Sequence, residues 1–137
     1  MAPVPWLIAQ LLLSLPAEYK LVGSSSEEVP LASLPGVSAH LEFRRWEAPG
    51  GRTLHVAYWQ PMPTRDGGPM HAVAEWPATI AGQRVRVYET DYFMGSQQRV
   101  LVTYLRFAAP EAQASLYATG LTRAAFGRLL AHVQPPP

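Results

Sequence analysis

The strongest constraint on this chain's fold is a pair of alternating segments separated by a turn. Residues 39–46 read Ala-His-Leu-Glu-Phe-Arg-Arg-Trp, and residues 53–60 read Thr-Leu-His-Val-Ala-Tyr-Trp-Gln. Between them lies Glu47-Ala48-Pro49-Gly50-Gly51-Arg52. Proline fixes φ and glycine permits positive φ, so this stretch reverses the chain. Alternating runs on either side of such a turn predict a β-hairpin. Pairing Glu47 with Arg52 puts Leu41, Phe43, Leu54, Val56 and Tyr58 on one face, which reads as a core face. The other face then carries His40, Glu42, Arg44, Trp46, His55, Ala57 and Trp59. It is polar, yet it holds two tryptophans, so something must cover part of it. A slip of one residue would overturn this assignment.

A second hairpin follows. Val85 and Val87 alternate with Arg84, Arg86 and Tyr88, Gly82 opens the run, and residues 99–107 are rich in β-branched and aromatic types. At the C-terminus, Thr122 is a good cap for a helix running to about Val133. Leu121, Ala125, Phe126, Leu129, Leu130 and Val133 fall on one helical stripe. Other segments are less defined. Residues 19–22 suit a short first strand, and Ser24-Ser25-Ser26-Glu27-Glu28 reads as loop. Pro61 to Pro69 is a loop rich in Pro and Gly. Residues 70–76 suit a short strand or a turn of helix, and residues 110–119 suit either a helix or a strand. The expected fold is α+β: an antiparallel sheet of four to six strands built from two hairpins and packed by the C-terminal helix.

The N-terminal run Trp6 to Leu15 is apolar but far shorter than the roughly 20 residues a membrane helix needs. Its length suits the core of a secretory signal peptide ending at Ala17. A buried N-terminal helix, or a misassigned start codon, is the alternative. On the first reading residues 1–17 are a leader, 18–134 one domain and 135–137 a Pro-rich tail, and the mature chain is extracytoplasmic without a transmembrane span.

Composition narrows the function. Eleven Lys and Arg against ten Asp and Glu leave a formal charge of +1 over 137 residues. A nucleic-acid module carries a larger basic excess, so nucleic acid is not an expected partner. No cysteine is present, which removes disulfides, thiolate metal sites and Cys nucleophiles. No Gly-x-Ser-x-Gly elbow or Gly-rich phosphate loop occurs, and Glu89 and Asp91 are the nearest approach to paired carboxylates. The sequence calls for no catalytic residue and no cofactor. Under the assumed pairing, His40, Glu42 and His55 share a face within reach of one metal ion, with His71 as a possible fourth group. Arg44, a cation directly opposite His55, argues against that site. The aromatic set Trp46, Trp59, Trp76, Tyr88, Tyr92, Phe93 and Tyr104, interleaved with arginines, reads mainly as core and sheet cover. His132 suits the negative end of the last helix.

Two family resemblances follow from particular stretches. The strand Ile80 to Glu89, its partner Val100 to Phe107, then Tyr117-Ala118-Thr119-Gly120 and the helix from Thr122, resemble in order the PsbP-like small extracytoplasmic proteins. Over residues 18–134 this implies an α/β/α sandwich and a mostly non-enzymatic accessory role on larger assemblies or envelope components. It carries no functional residue onto this chain. The hairpin from Arg44 to Trp59 also resembles that of exosortase-associated exopolysaccharide proteins. Those carry a His-Pro…Cys stretch shortly afterwards, where this chain has Met70 to Trp76 without Cys.

Three readings of function follow. The first is a non-catalytic exported accessory or binding module that docks on a protein or envelope partner through Trp46, Trp59, Arg44, His40 and His55, with the two tryptophans as anchors. The second is an envelope metal-binding protein or enzyme using His40, Glu42 and His55. The third is a self-associating structural domain that pairs an edge strand or the tryptophan face across a twofold axis.

Overall fold

The computed structural model describes residues 3–30, 35–61, 69, 72–93 and 97–136. The chain begins with a short hairpin, β1 (Val4–Ile8) and β2 (Leu11–Leu15). Seven longer strands follow: β3 (Lys20–Pro30), β4 (Ser38–Ala48), β5 (Arg52–Gln60), β6 (Ala72–Ile80), β7 (Gln83–Thr90), β8 (Val100–Ala108) and β9 (Glu111–Thr119). One short helix, α1 (Arg123–Leu130), precedes the two-residue strand β10 (Val133–Gln134). Every strand pairing among the described residues is antiparallel. The long strands form one sheet in the order β3-β4-β5-β9-β8-β7-β6, and a small sheet runs β1-β2-β10.

The α+β expectation is therefore corrected. Among the described residues the protein is mostly β, with a seven-stranded and a three-stranded sheet and a single helix of eight residues. The extra strands come from segments that local chemistry leaves undecided. Ser24 to Glu28 lie in the edge strand β3, where an exposed, charged strand is tolerated because it discourages pairing with other chains. Residues 111–119 form a strand at the centre of the sheet, between β5 and β8. Ala112, Ala114, Leu116 and Ala118 alternate inward there and are fully buried. The helix is capped as expected: Thr122 accepts a bond from the Ala125 N–H at 3.1 Å. It stops at Leu130, and Val133 lies in β10 opposite Leu13.

One face of the large sheet is covered and holds the main core. Trp46, Leu54, Val56, Tyr58, Val87, Leu105 and Leu116 on the sheet meet Ile8, Leu11, Leu13, Leu15, Phe126, Leu129, Leu130 and Val133 on the covering layer. The run from Trp6 to Leu15 is thus a hairpin of the folded domain. Leu11, Leu13 and Leu15 point into the core by strand alternation, and cleavage after Ala17 would remove them. Among the described residues, helices cover only this one side of the sheet, so an α/β/α layering is not formed.

The first hairpin forms as expected but in another register. Ala48 faces Arg52 and Glu47 faces Thr53, so the loop is the three residues Pro49-Gly50-Gly51. Gly50 and Gly51 both take positive φ, 84° and 76°, which closes the shorter loop. The one-residue difference changes which residues share a face. Trp46 joins Leu54, Val56 and Tyr58 in the core, while His55 and Trp59 lie with Phe43 on the opposite face.

Candidate binding face

The second face of the large sheet carries its own cluster. Val100, Val102 and Tyr117 are buried there, with Phe43, Tyr88, Phe93 and Tyr104 packed around them. No strand or helix of the described residues belongs to this cluster except those of the sheet itself; Phe93 reaches it from the segment after β7. This open face is built by alternation from Phe43 on β4, His55 and Trp59 on β5, Tyr117 on β9, Val102 and Tyr104 on β8, and Tyr88 on β7.

His55 sits at its centre. Tyr117 is its partner across β5 and β9, and their rings stack 4.5 Å apart at 6°. Phe43 approaches from the other side at 5.9 Å. Nε2 lies 3.2 Å from Thr53 Oγ1, which is 2.6 Å from Thr119 Oγ1, and Nδ1 is buried without a hydrogen-bond partner among the described residues. Burial, with the Arg45 guanidinium opposite it, holds the His55 pKa down at about 4. The imidazole is neutral at ordinary pH, and no carboxylate of the described residues bonds it. Burial also raises the Tyr117 hydroxyl, and it pushes Tyr104 up to about 12 with help from neighbouring Tyr88.

The sequence-derived site residues separate. Trp46 is wholly buried, edge-on to Trp6 at 5.7 Å, and its Nε1 has no hydrogen-bond partner among the described residues. It is a core residue and offers no anchor. Trp59 is half-buried on the open face. Arg44 and His40 lie on the other side of β4. Arg44 Nη1 donates to the Phe43 carbonyl at 2.9 Å. His40 is held between two carboxylates, with Nδ1 2.8 Å from Glu28 and Nε2 3.0 Å from Glu42. These bonds, Glu42 foremost, raise its pKa and favour the imidazolium, which has no lone pair for a metal. His40 and Glu42 are therefore brought together, and His55 is on the opposite face of the sheet. Among the described residues no group of His, Asp or Glu could hold a metal ion; His71 lies outside the described residues. Glu89 does not pair with Asp91 for chemistry. It clamps the sheet to α1, bonding Arg99 at 2.7 Å and Arg123 at 2.6 Å, while Arg123 lies 4.8 Å over the Trp76 ring.

A cleft of about 370 Å³ opens at one end of this face. β7 and β8 pair from Thr90 and Val100 as far as Val87 and Thr103, and there the ladder ends. Thr103 Oγ1 donates to the Arg86 carbonyl at 2.9 Å. Further out, the Gln83 side chain replaces a strand: Nε2 donates to the Arg106 carbonyl at 2.7 Å, and Oε1 accepts from the Arg106 N–H at 3.1 Å. Arg84, Arg86, Tyr88, Tyr104, Arg106 and Gln113 line the gap from the open face. Sequence reasoning missed this grouping, although the alternation of Arg84, Arg86 and Tyr88 with valines was its visible half. Arg106 and Gln113 join only through pairing between distant segments.

No known protein family, curated protein or solved structure matches the chain. No helix of the described residues is long and apolar enough to cross a membrane.

Proposed function

We propose that this protein is a non-catalytic binding module that docks its partner through the open face of the large sheet. The observation that carries this reading is the asymmetry of the sheet. One face is filled by the N-terminal hairpin, α1 and β10, while the other carries an aromatic cluster with Trp59 and several arginines beside it. Aromatic and arginine side chains supply most of the binding energy at protein interfaces, through large rigid area and forked donors. The chemistry of His55 supports a binding role over a catalytic one. It faces a threonine and, among the described residues, no carboxylate bonds it, and its stacked position limits its movement.

The test is site-specific photo-crosslinking in the native host. A photoreactive side chain is placed at Arg45, Trp59 or Arg106 on the open face, and at Ala124 or Arg128, exposed positions of α1. Crosslinks to one partner from the open-face positions alone are expected. Crosslinks from α1 alone, or none from any position, would reject the reading.

A further inference from the structure

We propose that the cleft between the turns at one end of the large sheet binds a small neutral ring with a cyclic amide edge, an N–H beside a C=O. The cleft lies on the core side of the sheet. The proposal goes beyond the docking reading and does not depend on it.

Four segments of the chain meet at this cleft. The β1–β2 turn brings Ala9 and Gln10, the β6–β7 turn brings Ala81, β8 brings Phe107, and the tail after β10 brings Pro135 and Pro136. They enclose about 320 Å³. The floor reaches the core: Leu11 is fully buried, and Ala81 and Phe107 pack against the main cluster. The size lies in the lower part of the range for small-molecule sites, about 300–1,000 Å³.

Two glutamine amides give the cleft a fixed polarity. Gln10 Nε2 donates to the Tyr58 hydroxyl at 2.8 Å and to the Pro110 carbonyl at 3.0 Å. The Tyr58 hydrogen goes on to Gln60 Oε1. A carbonyl only accepts, so the bond to Pro110 fixes which way the Gln10 amide is turned. Both of its N–H groups are then used, and Oε1 is left as an acceptor with no bond among the described residues. Gln83 is held as firmly, through both backbone groups of Arg106. It keeps one Nε2 hydrogen unbonded among the described residues. The cleft thus presents one oriented acceptor and one oriented donor. A cyclic amide answers with a donor and an acceptor side by side, on a ring whose faces are apolar enough for Phe107, Leu11 and the prolines. A carboxylate only accepts, so it would set a second oxygen against Gln10 Oε1. A sugar ring carries hydroxyls around its whole edge and would bury several of them against apolar side chains.

The two turns show a second, independent feature. Ala9 and Ala81 both have φ of 51°, and each is the first residue of a two-residue turn. Glycine takes this conformation freely, whereas a Cβ disfavours it. Both strained positions line the same cleft. Each alanine adds a methyl group to the site at a backbone cost that glycine would avoid, and such strain gathers at ligand sites.

The experiment is a heteronuclear NMR titration of the full chain with uracil and with cyclo-glycylglycine. A nucleobase and a cyclic dipeptide are the two sources of such an edge, and the tighter binder assigns the source. Saturable shifts are expected for the Gln10 side-chain amide and for the backbone amides of residues 9–11, 81–83 and 107. In the uracil arm, 1,3-dimethyluracil keeps the ring and loses both N–H groups, so it should bind about tenfold or more weakly than uracil. The variant A9G/A81G relaxes both turns and removes two methyl groups. It should melt close to the parent and bind the tighter probe about tenfold more weakly. Absence of saturable shifts with both probes overturns the proposal. So does equal binding by uracil and its dimethyl derivative, or the same shifts with methyl glucoside. Unchanged affinity in A9G/A81G would remove the two turns from the site and overturn it as well. The crosslinking experiment reads the opposite face of the sheet, so either result there leaves this test intact.

Discussion

His55 lies parallel to Tyr117, ring against ring at 4.5 Å, with one buried nitrogen unbonded among the described residues. The pair ties β5 to β9 in the middle of the open face, and it makes the fold sensitive to acid. In the unfolded chain His55 takes up a proton near pH 6.5; in the folded protein it does so only at about 4. Between those values the unfolded state binds more protons, so stability falls as pH drops through this window. The expected loss is about 2 kcal/mol, given partial access to water. Urea denaturation of the parent and of H55F from pH 8 to pH 4 measures it: the difference in pH dependence should vanish in the variant.

His40 should behave in the opposite sense. Its pKa is raised by Glu42 and Glu28, so its contribution is complete below about 6.5 and is lost as pH rises through the higher folded value. H40Q should therefore be less stable than the parent at pH 5.5 and equal to it at pH 9, by melting temperature. A constant difference across that range would mean that the imidazolium bridge contributes nothing.

The two tryptophans of the first hairpin should separate cleanly. W46A empties a fully buried site next to Trp6 and should cost about 3–5 kcal/mol. W59A removes a half-buried ring from the open face and should cost about 1 kcal/mol. Chemical denaturation of both variants checks the register directly, since pairing Glu47 with Arg52 would put both rings on the same face.

Removing residues 1–17 should abolish cooperative folding. The deletion takes Ile8, Leu11, Leu13 and Leu15 from the core, each worth about 1.5–3 kcal/mol when buried. The sum is comparable with the whole stability of a typical domain, about 5–15 kcal/mol. It also uncovers the sheet and strips β10 of its partner. Near-UV circular dichroism of the truncated chain reads the outcome: a native-like spectrum with a sharp thermal transition would contradict it.

Two glycines at turns should respond differently to alanine. Gly82, with φ of 80°, has open space where a Cβ would go, so G82A should cost about 1 kcal/mol of backbone strain. Gly120, with φ of 72°, sits against the backbone carbonyl of Gly51, and a Cβ would collide with it. G120A should cost about 3 kcal/mol or more, because strain and displacement of the β4–β5 turn add together. Thermal melts of the two variants compare them.

The sequence by itself determined the elements whose signals are local. Alternation in 39–46 and 53–60, with Pro49-Gly50-Gly51 between, specified the β4–β5 hairpin. The valines and arginines from Arg84, with the β-branched run after Arg99, specified β7 paired with β8. Thr122 and the stripe through Phe126, Leu129 and Leu130 specified α1. Tertiary structure decided the rest, for identifiable reasons. An apolar run such as Leu11 to Leu15 reads alike as a leader, a helix or a buried strand. Only the sheet face beneath it and β10 beside it make it a strand. Ser24 to Glu28 has no apolar pattern at all and becomes a strand because β4 offers a free edge. Side-chain alternation repeats every two residues, so it defines two faces per strand without saying which face of one strand adjoins which face of the next. That choice rests on a single residue in the loop closed by Gly50 and Gly51. It sent Trp46 into the core, parted His40 from His55, and left His55 to stack on Tyr117, more than sixty residues away in the chain. The arginine-lined gap was hidden for the same reason: its halves on β7 and β8 are brought together only by the pairing of the strands.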